Sequence, residues 1–270
     1  KGVPISEFAD RERLTATERL RLFVDVCSAV QHAHQKGIIH RDLKPSNILV
    51  LKVDGKPEPK IIDFGIAKAM YTPQVERSQH TSYGQMLGTP EYMSPEQAGE
   101  SGLEGPDIDT RSDVYSMGVI LYELLTGVLP FDSRALRKAG HEGIRKLIIE
   151  VVPPKPSTRL MDLASKGGGG GKAPIETDSS IRSASQRRGT DARVLTKLVR
   201  GDLDWIVMKC LEKDRTRRYE SASALAQDII RREGLKDEHA LQGWFLRRVE
   251  GFVRAHGRTI ARRGSRRPGR

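Results

Sequence analysis

The sequence predicts a mainly α domain of the α+β class that carries one small β-hairpin. Apolar residues recur at three- and four-residue intervals in most of the patterned segments, and two short β-prone runs flank a turn. Strands and helices do not alternate as a parallel sheet would need. With hydrophobic residues at 37% and charged residues at 30% of a 270-residue chain, the composition is that of a soluble protein with enough apolar material for a core.

Thr15 and Glu18 have the spacing of a capping box, and Leu22, Phe23, Val26, Val30 and Ala33 behind them predict a helix that Gly37 stops. Asn47 to Val53 and Lys60 to Asp63 read as the two strands of the hairpin, separated by Asp54-Gly55 and a proline pair. Residues 64–112, rich in Gly, Pro, Ser, Thr and Gln, read as a long loop of the kind that carries function. Val114 to Leu125 is apolar on nearly every side and ends at Gly127, the pattern of a buried helix. Pro153, Pro154 and Pro156, the glycine run 167–171 and the polar residues after it read as a flexible insertion over about 153–200. Leu203, Ile206, Val207, Cys210 and Leu211 predict one further helix, and Leu225, Ala226, Ile229 and Ile230 another.

The net charge of +11 is unevenly spread, since residues 231–270 hold twelve Arg/Lys against four Asp/Glu. Residues 233–270 form a basic tail in which Leu241, Trp244, Phe245, Val249, Phe252 and Val253 follow helical spacing. Packing of that stripe on the domain is the simplest expectation. An anionic membrane surface is the second, because basic amphipathic segments with aromatic anchors partition into such interfaces. No zinc or base-stacking module accompanies the arginines, so nucleic acid is not expected as a partner. Cys27 and Cys210 form no C-x-x-C pair, which excludes a disulfide scaffold and a thiolate zinc site and suits a reducing, cytoplasmic setting. Both fall on apolar helix faces and read as core residues. No run reaches the roughly 18 to 20 apolar residues of a membrane span. The start at Lys1 lacks the layout of a signal peptide, and the chain is expected to be part of a longer protein.

The chemistry is concentrated in His40-Arg41-Asp42-Leu43-Lys44-Pro45-Ser46-Asn47 and, further on, Asp63-Phe64-Gly65, both at the ends of the predicted hairpin strands. Asn47 and Asp63 supply hard oxygen ligands of the kind Mg²⁺ takes together with phosphate oxygens. Asp42 is then free to orient a hydroxyl and accept its proton, while Lys44 can neutralise charge on a transferring phosphoryl group. His40 reads as a packed structural residue, and His32 and His34 are assigned no site.

The ordered set H-R-D-L-K-P-S-N, D-F-G, G-T-P-E-Y-M-S-P-E and a buried helix opening Ser112-Asp113-Val114-Tyr115-Ser116 resembles the C-terminal lobe of a eukaryotic-type (Hanks-type) serine/threonine protein kinase of the bacterial kind. The motifs span residues 40–127, and the resemblance extends less sharply over 1–232. It implies a helical C-lobe with the small β-hairpin at the catalytic loop, ATP and Mg²⁺ as cofactors, and protein substrates with Ser/Thr hydroxyls. Carried over residue by residue, it makes Asp42, Lys44 and Thr89 catalytic, places Lys44 at the γ-phosphate, gives Mg²⁺ to Asn47 and Asp63, and sets Leu49 beneath the adenine. The Lys of D-L-K-P favours Ser/Thr over Tyr. Asp113 would hold the catalytic-loop backbone, and Glu96 would pair with Arg218. Arg41 would face an activating phosphate on Thr72, Ser78, Thr81 or Ser82.

The departure from the family is large. Nothing in the sequence matches its glycine-rich loop, its strand lysine or the helix glutamate that pairs with that lysine. These elements are expected upstream of Lys1, and the chain is expected to have little activity without them. The alternative reading is a truncated, non-catalytic kinase-like module that docks partners through its helical surface.

Overall fold

A computed structural model describes residues 1–64, 89–99, 108–132, 139–166 and 192–235. Thr15 opens the longest helix there, accepting the Glu18 backbone N–H at 3.3 Å while the Glu18 carboxylate accepts the Thr15 N–H at 2.8 Å. These reciprocal bonds satisfy two otherwise orphaned donors and fix where the helix starts. That helix, α2 (Ala16–His34), follows a short strand β1 (Val3–Pro4) and helix α1 (Ile5–Arg11). Leu20, Phe23, Val26, Cys27 and Val30 form its buried stripe.

Arg19, buried with them, joins three helices. Its guanidinium donates to the carbonyls of Leu14, Ala9 and Leu124 and pairs with Asp10 at 2.8 Å. A buried cation is tolerated only where its donors are satisfied in this way.

A 3-10 turn (Pro45–Asn47) leads into β2 (Ile48–Val53), which pairs antiparallel with β3 (Lys56–Ile61), and β1 adds a third strand on the other side of β2. The expected second strand, Lys60 to Asp63, is therefore corrected: it begins at Lys56 and runs through the proline pair. Pro57 and Pro59 lie two residues apart on an edge strand, so their nitrogens face the same way and cost the sheet no internal bond when that side is the free edge. Ile48 and Val50 point into the core, and Leu49 lies half-buried on the opposite face.

Within the expected long loop, Pro90–Tyr92 form a 3-10 turn and α3 (Pro95–Ala98) a single helical turn. Helix α4 (Thr110–Thr126) is capped by the Asp109 carboxylate and ends at Gly127, whose φ of 80° is the left-handed conformation that a C-terminal glycine supplies without strain. Val114, Met117, Ile120, Leu121, Leu124 and Leu125 are buried, so α4 is the centre of the core. Helix α5 (Gly140–Glu150) follows and was not predicted.

The flexible insertion expected over 153–200 is the main correction. Helix α6 (Pro156–Lys166) and α7 (Ala192–Val199) occupy both of its ends and bury Leu160, Leu163, Leu195 and Val199. Pro156 is the first residue of α6, where its missing N–H costs nothing, so the prolines start a helix and do not end order. The glycine run between the two helices lies outside the described residues. Helix α8 (Asp202–Cys210), a 3-10 turn (Arg215–Arg217) and α9 (Ala222–Arg232) complete the fold, with α8 on α4 and α9 on α2. Cys27 and Cys210 are free and fully buried, and burial pushes both thiols up. Among the described residues no helix is long and apolar enough to cross a membrane.

Candidate functional site

Asp113, near the start of α4, is fully buried and directs both carboxylate oxygens at the loop that follows α2. Its Oδ2 accepts the His40 N–H at 2.8 Å and its Oδ1 accepts the Arg41 N–H at 2.9 Å. His34 Nε2 meets the same Oδ2 at 2.7 Å. Arg41 has a φ of 64°, a left-handed conformation that a non-glycine residue holds only where its surroundings impose it. The carboxylate supplies part of that constraint.

His40 ties the loop to the sheet. Its Nε2 lies 2.9 Å from the Ile62 carbonyl, which can only accept, and its Nδ1 lies 3.3 Å from the Asp42 N–H, which can only donate. The ring is therefore the Nε2–H tautomer. It also packs against Phe64 with a centroid separation of 4.9 Å.

Asp42 extends from the loop with its side chain about a quarter exposed, at 25%. Lys44 Nζ donates to Asp42 Oδ2 at 2.9 Å and to Thr89 Oγ1 at 3.2 Å, bringing three of the predicted catalytic residues together. Asn47 Nδ2 donates to the Asp42 carbonyl at 2.8 Å and to its Oδ2 at 3.4 Å. With the nitrogen end of the amide committed to Asp42, the oxygen end is the one left for a cation.

Asp63 reaches the same loop through its neighbours. The Ile62 N–H donates to the Asn47 carbonyl at 3.0 Å, and the Phe64 ring packs against His40 at a tilt of 48°. Asp63 is exposed, with a left-handed φ of 55°. No hydrogen bond among the described residues ties its carboxylate to Asp42, Lys44 or Asn47. An amide oxygen from Asn47 and an exposed carboxylate from Asp63, on backbones joined by one hydrogen bond, make a donor set that fits Mg²⁺, which takes few protein oxygens and completes its shell with water and phosphate. The described residues contain no group of three or more His, Cys, Asp or Glu suited to a metal. Leu49 lies opposite Pro4 of β1, and a Cβ on Gly2 would come within 2.8 Å of Leu49 Cβ, so the chain entry runs close over this side chain.

The segment from Thr89 to Ala98 is fastened from below. Ser116 Oγ donates to the Tyr92 carbonyl at 2.8 Å and Tyr92 OH to Glu123 at 2.7 Å. Burial, then the Glu123 carboxylate, push the Tyr92 phenol up, so it remains a donor. Arg218 grips Glu96 with two bonds of 2.7 and 2.8 Å and donates to the carbonyls of Glu212, Arg111 and Lys213. Burial raises the Glu96 carboxyl, but Arg218 and the Ser112 hydroxyl outweigh it and hold the group below the usual glutamate range.

Two contributors were missed in the sequence. His34 was assigned no site, although it stands one turn after Val30 on the buried stripe of α2. Gln97 was not noted, although Ser94-x-x-Gln97 has capping-box spacing. Gly65, Gly88, the candidate phosphosites Thr72, Ser78, Thr81 and Ser82, and the apolar stripe of the tail lie outside the described residues.

The family model for the protein kinase domain matches residues 4–230. The chain belongs to the protein kinase family. Serine/threonine-protein kinase PknB of Mycobacterium tuberculosis is 30% identical over 231 residues, covering 85% of this chain and 29% of PknB. Serine/threonine-protein kinase Pkn1 of Myxococcus xanthus is 44% identical over 138 residues, covering 50% of this chain and 18% of Pkn1. The chain thus spans less than a third of the length of these curated relatives. Among solved structures, the PknI kinase domain of Mycobacterium tuberculosis matches with a TM-score of 0.50 and 20% identity, over 87% of this chain and 63% of that one, a likeness that concerns the fold.

Proposed function

We propose that this kinase chain supplies the catalytic-loop lobe of a serine/threonine protein kinase that transfers the γ-phosphoryl group of Mg²⁺-ATP to protein hydroxyls. The observation that carries the reading is the bridge from Lys44 Nζ to Asp42 Oδ2 and Thr89 Oγ1. It joins an acid, a base and a hydroxyl from two segments 45 residues apart at a partly exposed edge. In this reading Asp42 orients the incoming hydroxyl and accepts its proton, a role that needs a carboxylate held in one rotamer, which Asn47 and Lys44 support. Lys44 counters negative charge at the reacting phosphoryl group. Asn47 and Asp63 are the ligands for Mg²⁺, Leu49 is the floor under the adenine, and Thr89 lies where the acceptor residue binds. Bound Mg²⁺-ATP would supply the phosphoryl group and the metal charge that neutralises it.

The family's glycine-rich loop, strand lysine and paired glutamate match no residue in 1–270, and the proposal assigns them to a second lobe that closes over the nucleotide. It takes 1–232 as the kinase lobe and 233–270 as a basic tail, for which an anionic membrane surface is the second reading after packing on the lobe. The same missing motifs favour the second reading, a kinase-like docking module. Labelled ATP, Mg²⁺ and a Ser/Thr-containing acceptor protein separate the two when the full-length parent is compared with its Asp42→Ala variant. Label on serine or threonine that vanishes in the variant is the expected result. A parent that transfers no label, or a variant that matches it, overturns the kinase reading.

A further inference from the structure

Gln97 is almost wholly buried on α3, and its amide is used at both ends. The oxygen accepts the Ser94 N–H at 3.0 Å and the Ser94 hydroxyl at 3.1 Å, while the Ser94 hydroxyl accepts the Gln97 N–H at 3.4 Å. Those contacts form a capping box and satisfy the helix start. The nitrogen does something a capping box does not need. Nε2 donates to the Arg41 carbonyl at 2.7 Å, across 56 residues of sequence.

That carbonyl belongs to the peptide unit that ends in the Asp42 nitrogen. Asp113 holds the N–H of Arg41, His40 Nδ1 faces the N–H of Asp42, and Gln97 holds the carbonyl between them. A peptide unit is rigid, so donors and acceptors on both of its edges fix the direction in which the Asp42 side chain leaves the backbone. The need for such a hold is visible in the left-handed φ of 64° at Arg41. Gln97 also sits on the helical turn that carries Glu96, the residue Arg218 grips. The anchor of the Thr89 segment and the orientation of Asp42 therefore share one helical turn.

We infer that Gln97 is a positioning residue for phosphoryl transfer, holding the Arg41–Asp42 peptide in the orientation that presents the Asp42 carboxylate. The inference rests on the kinase reading above for its effect on rate, but its effect on the loop does not depend on that reading.

Gln97→Glu separates the two jobs of the side chain. Glutamate keeps the capping box, in which it is a favoured partner of serine, and loses the donor to Arg41. Ser94→Ala does the reverse, weakening the cap and leaving the donor. In the full-length parent, Gln97→Glu sets a buried carboxylate against the Arg41 carbonyl and is expected to lower the melting temperature, to speed amide exchange at Arg41 and Asp42 more than along α4, and to lower kcat of the folded fraction by about ten- to hundredfold with the KM for ATP unchanged. Ser94→Ala is expected to lower the melting temperature and to leave kcat within about twofold once folded. Gln97→Asn, too short to reach the carbonyl, should reproduce the kcat loss. Wild-type exchange at Arg41 and Asp42 in Gln97→Glu overturns the inference, and so does faster exchange with wild-type kcat. A wild-type parent with no transferase activity overturns the kinase reading instead, and the exchange measurement alone then decides whether Gln97 holds the loop.

Discussion

Helix α4 and the loop from His40 to Asn47 touch at Asp113, yet they are held by different means. Along α4, Val114, Met117, Ile120, Leu121, Leu124 and Leu125 are out of water, and a run of that kind is stabilised by apolar burial and close packing, which are non-directional. The loop contributes only Leu43 and Pro45 to the buried apolar set, together with His40 and Asn47, and its shape follows from hydrogen bonds supplied by Asp113, Gln97, His40 and Asn47. The contrast teaches where each kind of change is felt. Volume changes act on the helices, and changes of donor or acceptor act on the loop.

The largest effect separates chemistry from folding most completely. Asp42→Ala should lower the turnover of the full-length parent by about 10²- to 10⁴-fold, the range for losing a positioned base, while its circular dichroism and melting curve stay close to wild type. A comparable loss of folded signal would erase the distinction between loop and core.

Arg218→Met tests a polar element placed inside the packed region. It leaves Glu96 as an uncompensated buried charge, and urea unfolding should show a loss of about 3–5 kcal/mol. The same pair predicts a pH dependence. The folded-state pKa of Glu96 is depressed, so its contribution is complete above the unfolded value of roughly 4.3 and is lost as pH falls through the lower folded value. Wild-type stability measured downward from about pH 5 should therefore fall more steeply than that of Arg218→Met.

Gly118→Ala tests packing alone. An added Cβ would stand 2.4 Å from Cys210 Cβ, so α4 and α8 must separate, at a cost of about 1–3 kcal/mol. Amides of the His40–Asn47 loop, such as that of Asp42, should keep their relative exchange pattern in this variant. The smallest expected effect is at the start of α2, where Thr15→Ala removes one exposed cap and should cost about 1 kcal/mol by the same urea measurement.

The two regions also differed in how far they could be read from sequence. Asp42, Lys44 and Asn47 lie within six residues, and their contacts are local enough for spacing to point to them. Helices α2, α8 and α9 were legible because each keeps a 3.6-residue apolar period, and α4 because it is apolar on nearly every side and stops at Gly127. Helices α6 and α7 were read as an insertion because Pro153, Pro154, Pro156 and the glycine run dominate the composition there, although Leu160 and Leu163, and Leu195 and Val199, have helical spacing. Strand β3 was shortened for the same reason, since a proline is compatible with an edge strand but not with a central one. His34 and Gln97 were passed over because what they touch is 79 and 56 residues away, and a hydrogen bond across such a separation leaves no periodic trace.

The bond between Arg218 and Glu96 spans 122 residues, which sets an order of events on the ribosome. At roughly 5–20 residues per second, Glu96 is made about 6 to 24 s before its partner. During that interval the turn that carries Gln97 has no guanidinium to lock it. The hold that Gln97 places on the Arg41–Asp42 peptide is thus without its Arg218 fastening until residue 218 has left the ribosome.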